Sequence, residues 1–421
     1  MQSSIKLRLT VMNFLQFAVW GAYLTSMGRY LGTAGFGSEI GNFYAMQGLV
    51  SLFMPALMGI VADRWIPAQR LLGGCHMLAG MLMLGVFLYT QTDAPSYPTL
   101  FALYSLSVAF YMPTLALSNS VAYSSLDQAG LDLVKSFPPI RVFGTVGFIC
   151  TMIAVSLLGL EATSGQFAVS AIISLVLAVY AQTLPNCPTA PKGQSKSLVE
   201  ALGLRAFVLF KQRKMALFFI FSMLLGVSLQ ITNGFANPFI STFGEIPAYA
   251  DTFGVKYANI LISLSQLSET LCILLIPFAL RRFGIRRVML IAMVAWVLRF
   301  ALLGLGNPGS GVWLFLLSMI VYGVAFDFFN VSGSLFVDKE TDPSIRSSAQ
   351  GLFMIMTNGI GATLGSLGAQ AVINRFVYSQ SEATAILSGW TTSWYIFAGY
   401  AAVVAVLFAV LFRYNTVSEA K

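Results

Sequence analysis

The chain has 421 residues, of which 57% are hydrophobic and 10% charged, whereas soluble domains carry roughly 25% charged residues. Apolar runs near the ~20 residues needed to cross a bilayer recur along it, so a soluble globular fold is excluded. The formal charge of +8 would also suit a nucleic-acid binder, and the placement of the basic residues decides against that.

In chain order, Lys6 and Arg8 precede an apolar run from about Leu9 to Met27. That run is longer than the 7–15-residue core of a signal peptide, so it is retained as the first span. Apolar stretches and breakers then predict helices near 9–30, 40–62, 70–90, 98–124, 138–159 and 165–184, followed by 214–241, 255–280, 286–304, 311–337, 346–373 and 391–412. The expectation is an all-α integral membrane protein of twelve transmembrane helices. An N-terminal six-helix bundle (1–184) and a C-terminal one (214–421) are joined by a polar, basic linker (185–213).

With the N-terminus inside, the cytoplasmic segments collect Lys6, Arg8, Arg64, Arg70, Lys135, the run Lys192 to Lys214, Arg281, Arg282, Arg286, Arg287, Lys339, Arg346, Arg413 and Lys421. Outside segments hold Arg29, Lys256 and Arg375. This positive-inside asymmetry accounts for the basic charge without nucleic acid and places both termini in the cytoplasm. Cys75, Cys150, Cys187 and Cys272 lie far apart without metal-ligand spacing and read as packing. The single histidine, His76, reads as a polar residue packed at a helix end, and no metal or cofactor is expected. Pro138, Ile140, Arg141 and Phe148 recur at one offset as Pro343, Ile345, Arg346 and Phe353, at the starts of the fifth and eleventh helices. This is the mark of a duplicated six-helix unit. Parallel repeats of that kind place a substrate site where the halves meet, near mid-membrane.

Ionisable residues at bilayer depth cost about 2.5–3.5 kcal/mol on insertion scales, so each needs a partner or a wet cavity. Glu269 shares a helix face with Gln266, Gln230 with Asn233, and Arg141 with Thr145 and Phe148, while Asp327 stands beside Phe326 with Asn330 three residues on. Such amides and hydroxyls also join helices to one another. Arg141, near its helix start, suits a cytoplasmic anchor or gate as well as a ligand, and Arg299, near the end of the ninth helix, reads as a snorkelling residue. Amides, a hydroxyl, an arginine and acids with Phe148 and Phe326 suit a ligand with hydroxyl groups and a flat ring. Glu269 and Asp327 also offer proton sites. No Walker loop, GxSxG elbow, HExxH or Cys/His cluster is present, so neither ATP-driven transport nor an enzyme is expected.

Gly59-Ile60-Val61-Ala62-Asp63-Arg64 and Arg282-Phe283-Gly284-Ile285-Arg286-Arg287 together resemble the cytoplasmic loop signature of the major facilitator superfamily. Longer segments resemble the nucleoside:proton symporter family within it, the bacterial nucleoside permeases. They include Phe14-Leu15-Gln16-Phe17 with Trp20-Gly21, Phe137-Pro138-Pro139-Ile140-Arg141, Leu229-Gln230-Ile231-Thr232-Asn233, Ser268-Glu269-Thr270 and Ala325-Phe326-Asp327-Phe328-Phe329-Asn330. The resemblance implies the major facilitator fold and import of nucleosides by proton symport through alternating access across the bacterial inner membrane, by a monomer with the proton as coupling ion. It further implies that Arg141, Thr145, Gln230, Asn233, Gln266, Glu269 and Asp327 surround sugar and base, with Phe148 and Phe326 stacking. Phe143 stands where the permeases carry Trp, which leaves base preference open. A symporter for another hydroxylated solute such as a sugar, or a non-transporting membrane receptor, are the competing functions.

Overall fold

The computed structural model describes residues 2–189, 204–343 and 345–414. Lys192, Lys196, Ser344 and Lys421 lie outside the described residues. Lipid offers no hydrogen bonds, so backbone polar groups must be satisfied within each segment and the spans are helical. Among the described residues nine helices are long and apolar enough to cross a membrane. One of them, Ala258–Leu305, is two spans joined at Gly284, whose φ of 73° and ψ of 165° break the helix in a backbone region open essentially to glycine. The first span, Gln2–Gly21 continued by Met27–Thr33, and the shorter Gly165–Ala181 complete the twelve. Outward-facing apolar side chains such as Leu274 (75% exposed), Val179 (64%) and Phe278 (63%) mark the lipid-facing surface.

Several boundaries differ from the sequence expectation. The last helix, Ala383–Leu411, begins a full two turns before residue 391. The fifth, Leu133–Leu157, begins before Pro138 and holds both Pro138 and Pro139 inside it. The motif arginine Arg286 ties two helices together, since its Nε donates to the Phe412 carbonyl (2.7 Å) and its Nη2 to that of Ala409 (2.7 Å). It thereby satisfies orphan carbonyls at the end of the last helix, where a cation is also favoured by the helix dipole.

The chain divides into two compact units, 1–36 with 49–202, and 37–48 with 203–421. In the first, Leu9, Met12, Leu72, Val121, Leu126 and Leu177 form one buried cluster. In the second, Phe218 packs with Phe219, Phe336 and Phe353, and Phe239 with Phe315, Trp390 and Trp394. The second span is thus shared: its first half, Gly37–Gly48, belongs with the second unit. Polar bonds hold it there, because Gln370 accepts from the Gly41 N–H and donates to the Gly37 carbonyl (3.0 Å), while Asn374 donates to that of Ser38 (3.2 Å).

Candidate functional site

In the first unit, the early start of the fifth helix puts Arg141 about two turns inside it rather than at its mouth. The guanidinium lies over the Phe17 ring, 4.0 Å from its centroid, and interacts electrostatically with Tyr111. Thr145 is half-buried one turn on. Phe148 is 5% exposed and meets Trp20 edge-on at 6.4 Å. Its backbone is fixed by close helix contact, since Gly21 faces the Phe148 main chain and Gly147 the Phe14 carbonyl.

Behind this group lies His76, which is fully buried well inside its helix, Ala68–Tyr89, and not at a helix end as the sequence suggested. Gln16 donates from Nε2 to the Thr114 hydroxyl (2.7 Å), which leaves its Oε1 facing His76 Nε2 at 2.8 Å. That nitrogen therefore donates, while the Ser174 hydroxyl, 2.9 Å from Nδ1, gives its one proton to the His76 carbonyl (2.9 Å). The imidazole is thereby held between Gln16 and Ser174. The ring also packs against Tyr111 (5.9 Å), which stacks obliquely on Trp20 (6.0 Å). His76 thus sets the frame on which the first unit's candidate residues stand.

In the second unit, the seventh span Arg213–Thr242 carries Gln230 and Asn233 on one face. Asn233 Nδ2 donates to Gln230 Oε1 at 2.8 Å, and Gln230 Nε2 points to Gln47 Oε1 at 3.5 Å. Both side chains are half-buried and keep unused donors and acceptors. The eighth and tenth spans bring Gln266, Glu269, Phe326 and Asp327 together around Tyr322. The Tyr322 ring stacks on Phe326 (5.6 Å, 15° between planes) and its hydroxyl is hydrogen-bonded with the Gln266 side chain. Glu269 and Asp327 interact electrostatically with each other and with Tyr322. Asp327 is 5% exposed, and its Oδ2 has no hydrogen-bond partner among the described residues. Asn330 does not serve it, donating instead to the Phe326 carbonyl (3.0 Å).

Two residues were misjudged or missed from sequence. Arg299 does not snorkel: it is 2% exposed, donates to the Ser318 carbonyl (2.8 Å) and lies over the Tyr322 ring at 4.5 Å. The cause is tertiary, because its partners come from the next span and offer more than the distant headgroups. Tyr322 was overlooked although it stands one helical turn before Phe326, a spacing that already places both on one face.

Twelve helical spans among the described residues, with polar stripes buried between them, define a multi-pass membrane protein with the major facilitator fold. Residues 3–417 match the family model described as Nucleoside H+ symporter, and the chain belongs to that family. It is 50% identical to the xanthosine permease of Escherichia coli (strain K12), over 98% of this chain and 97% of that protein. Identity to the nucleoside permease NupG of the same organism is 47%, over 98% and 97% of the two chains. A crystal structure of the nucleoside transporter NupG superposes with a TM-score of 0.89 at 46% identity, covering 98% of this chain and all of that one.

Proposed function

We propose that this protein imports nucleosides by proton symport through alternating access in the bacterial cytoplasmic membrane, with both termini cytoplasmic. Proton-coupled nucleoside transport is the activity named for its family, and the relatives at 47–50% identity are permeases for nucleosides. In this reading Arg141, Thr145, Gln230, Asn233 and Gln266 bind the polar edges of the nucleoside. Phe148 and Phe326 stack on it, and Glu269 and Asp327 serve the proton and the ligand. The observation that carries the reading is the acid pair gathered with Gln266 and the stacked Tyr322–Phe326 rings. It combines a proton-binding group with flat aromatic faces and amide hydrogen-bonding capacity, which is what a nucleoside and a coupling proton require.

The test is uptake of labelled uridine and adenosine into cells or proteoliposomes, competed by nucleosides, free bases, ribose and common sugars. Nucleosides compete, and ribose and sugars do not; the reverse result overturns the assignment. In the same assay Asn233→Ala is expected to weaken nucleoside affinity by about 0.5–1.5 kcal/mol per lost hydrogen bond. An unchanged affinity in the purified variant removes Asn233 from the site.

A further inference from the structure

Arg299 is a costly residue for its position. It is buried in a membrane span, where a charged side chain carries an insertion penalty that a methionine or leucine of similar reach avoids. Arginine keeps its charge when buried and lays a planar face on aromatic rings. Its geometry is fixed from both sides: Nη1 donates to the Ser318 carbonyl (2.8 Å) and reaches the Ser265 hydroxyl at 3.4 Å, while the Ser318 hydroxyl donates back to the Arg299 carbonyl (3.0 Å). So held, the guanidinium lies 4.5 Å from the centroid of Tyr322. Tyr322 is the residue on which the other groups converge, being stacked with Phe326, bonded to Gln266, and in electrostatic contact with Glu269 and Asp327.

We propose that Arg299 is a positioning residue for nucleoside binding: anchored to Ser318, it braces the Tyr322 ring and so fixes Phe326 and Gln266 for the ligand. The inference rests on the site reading given above. A cation over an aromatic face, desolvated as this one is, strengthens the contact well beyond its value in water. Loss of the brace frees the Tyr322 ring to change rotamer, and the ordering of that ring then has to be supplied when the nucleoside binds.

The test is uridine counterflow exchange in proteoliposomes, normalised to folded carrier. Arg299→Gln raises KM about tenfold with Vmax unchanged. Arg299→Lys keeps the charge but cannot lie flat on the ring, and raises KM about threefold. A residue needed only for folding would lower the yield of folded carrier and leave the normalised KM and Vmax alone. Combined with Tyr322→Leu, which removes the braced ring, Arg299→Gln adds no further rise. An unchanged KM in Arg299→Lys overturns the proposal even where Arg299→Gln fails to reach the membrane, as do additive effects in the double variant. Asn233→Ala is run alongside. If it raises KM while the Arg299 variants do not, the brace alone is wrong; if neither changes KM, the site assignment falls with it.

Discussion

Glu269→Gln is expected to bind and exchange nucleoside yet fail to accumulate it. For one coupled proton, each unit of pH gradient, acid outside, supports about tenfold accumulation, so the wild-type carrier concentrates its substrate and the variant equilibrates to a ratio of about one. The physical cause lies in the membrane. An ionised carboxylate is expensive to carry through a closed conformation from which the bound nucleoside excludes water, so reorientation of the loaded carrier favours the protonated form, which glutamine mimics. The empty carrier returns after its proton has left on the inside, so that one proton enters per cycle. Glu269 and Asp327 interact, so proton uptake belongs to the pair. The surroundings of the two acids nevertheless divide their roles. Asp327 is buried beside the Tyr322–Phe326 stack, while Glu269 is half-buried on the face it shares with Gln266. Asp327→Asn is therefore expected to lose nucleoside affinity first, and Glu269→Gln to lose coupling first. Paired measurements of counterflow and of pH-driven accumulation separate the two effects. Proton-driven accumulation that survives in both variants sinks the mechanism.

How much of this was legible in the sequence follows from which interactions are local. The spans were readable because lipid forces each one to be long, apolar and helical, and those properties are written in consecutive residues. Intrahelical stripes were readable for the same reason: Gln230 meets Asn233, and Gln266 shares a face with Glu269, by helical spacing alone. Pro138 misled, because a proline pair ordinarily marks a helix start, whereas here the helix runs from Leu133 and carries both prolines. Arg299 misled because its distance from the helix end is a local property, while its partners Ser318 and Tyr322 are tertiary ones. The division of the second span was invisible. Both halves read as one apolar run, and what assigns Gly37–Gly48 to the second unit is a set of bonds to Gln370 and Asn374, more than three hundred residues away.

The seam between the seventh and eleventh spans yields the other large expected effect. Helices in lipid gain little from burying apolar surface against each other, so they associate through close van der Waals contact, which small residues allow. Here the contact is backbone on backbone. A side chain at Gly226 would meet the Thr357 main chain, one at Gly361 the Met223 carbonyl, and one at Gly365 the Val227 carbonyl and its neighbours. Gly361 and Gly365 are spaced as in a small-xxx-small motif; Gly361 closes, and Gly365 follows, a π-helical stretch, Ile355–Gly361, that interrupts the α-helix where it crosses the seventh span. Because the opposing atoms are main chain, no rotamer change can make room, and a substitution must push the helices apart. Gln230 and Asn233 lie on the same seventh span, one turn and more beyond Gly226, so the displacement would reach candidate ligand residues as well as the packing. Gly365→Val is therefore expected to destabilise the protein by about 3 kcal/mol or more, at the upper end of overpacking costs, and to abolish uptake. Gly368→Val is the control, since nothing lies within 4 Å of a side chain there, and it should be tolerated apart from a β-branched residue's modest helix cost. Thermal unfolding of the purified variants, read with uptake in the same preparations, decides the matter: a Gly365→Val protein that melts and transports like Gly368→Val would show that this seam does not hold the unit together.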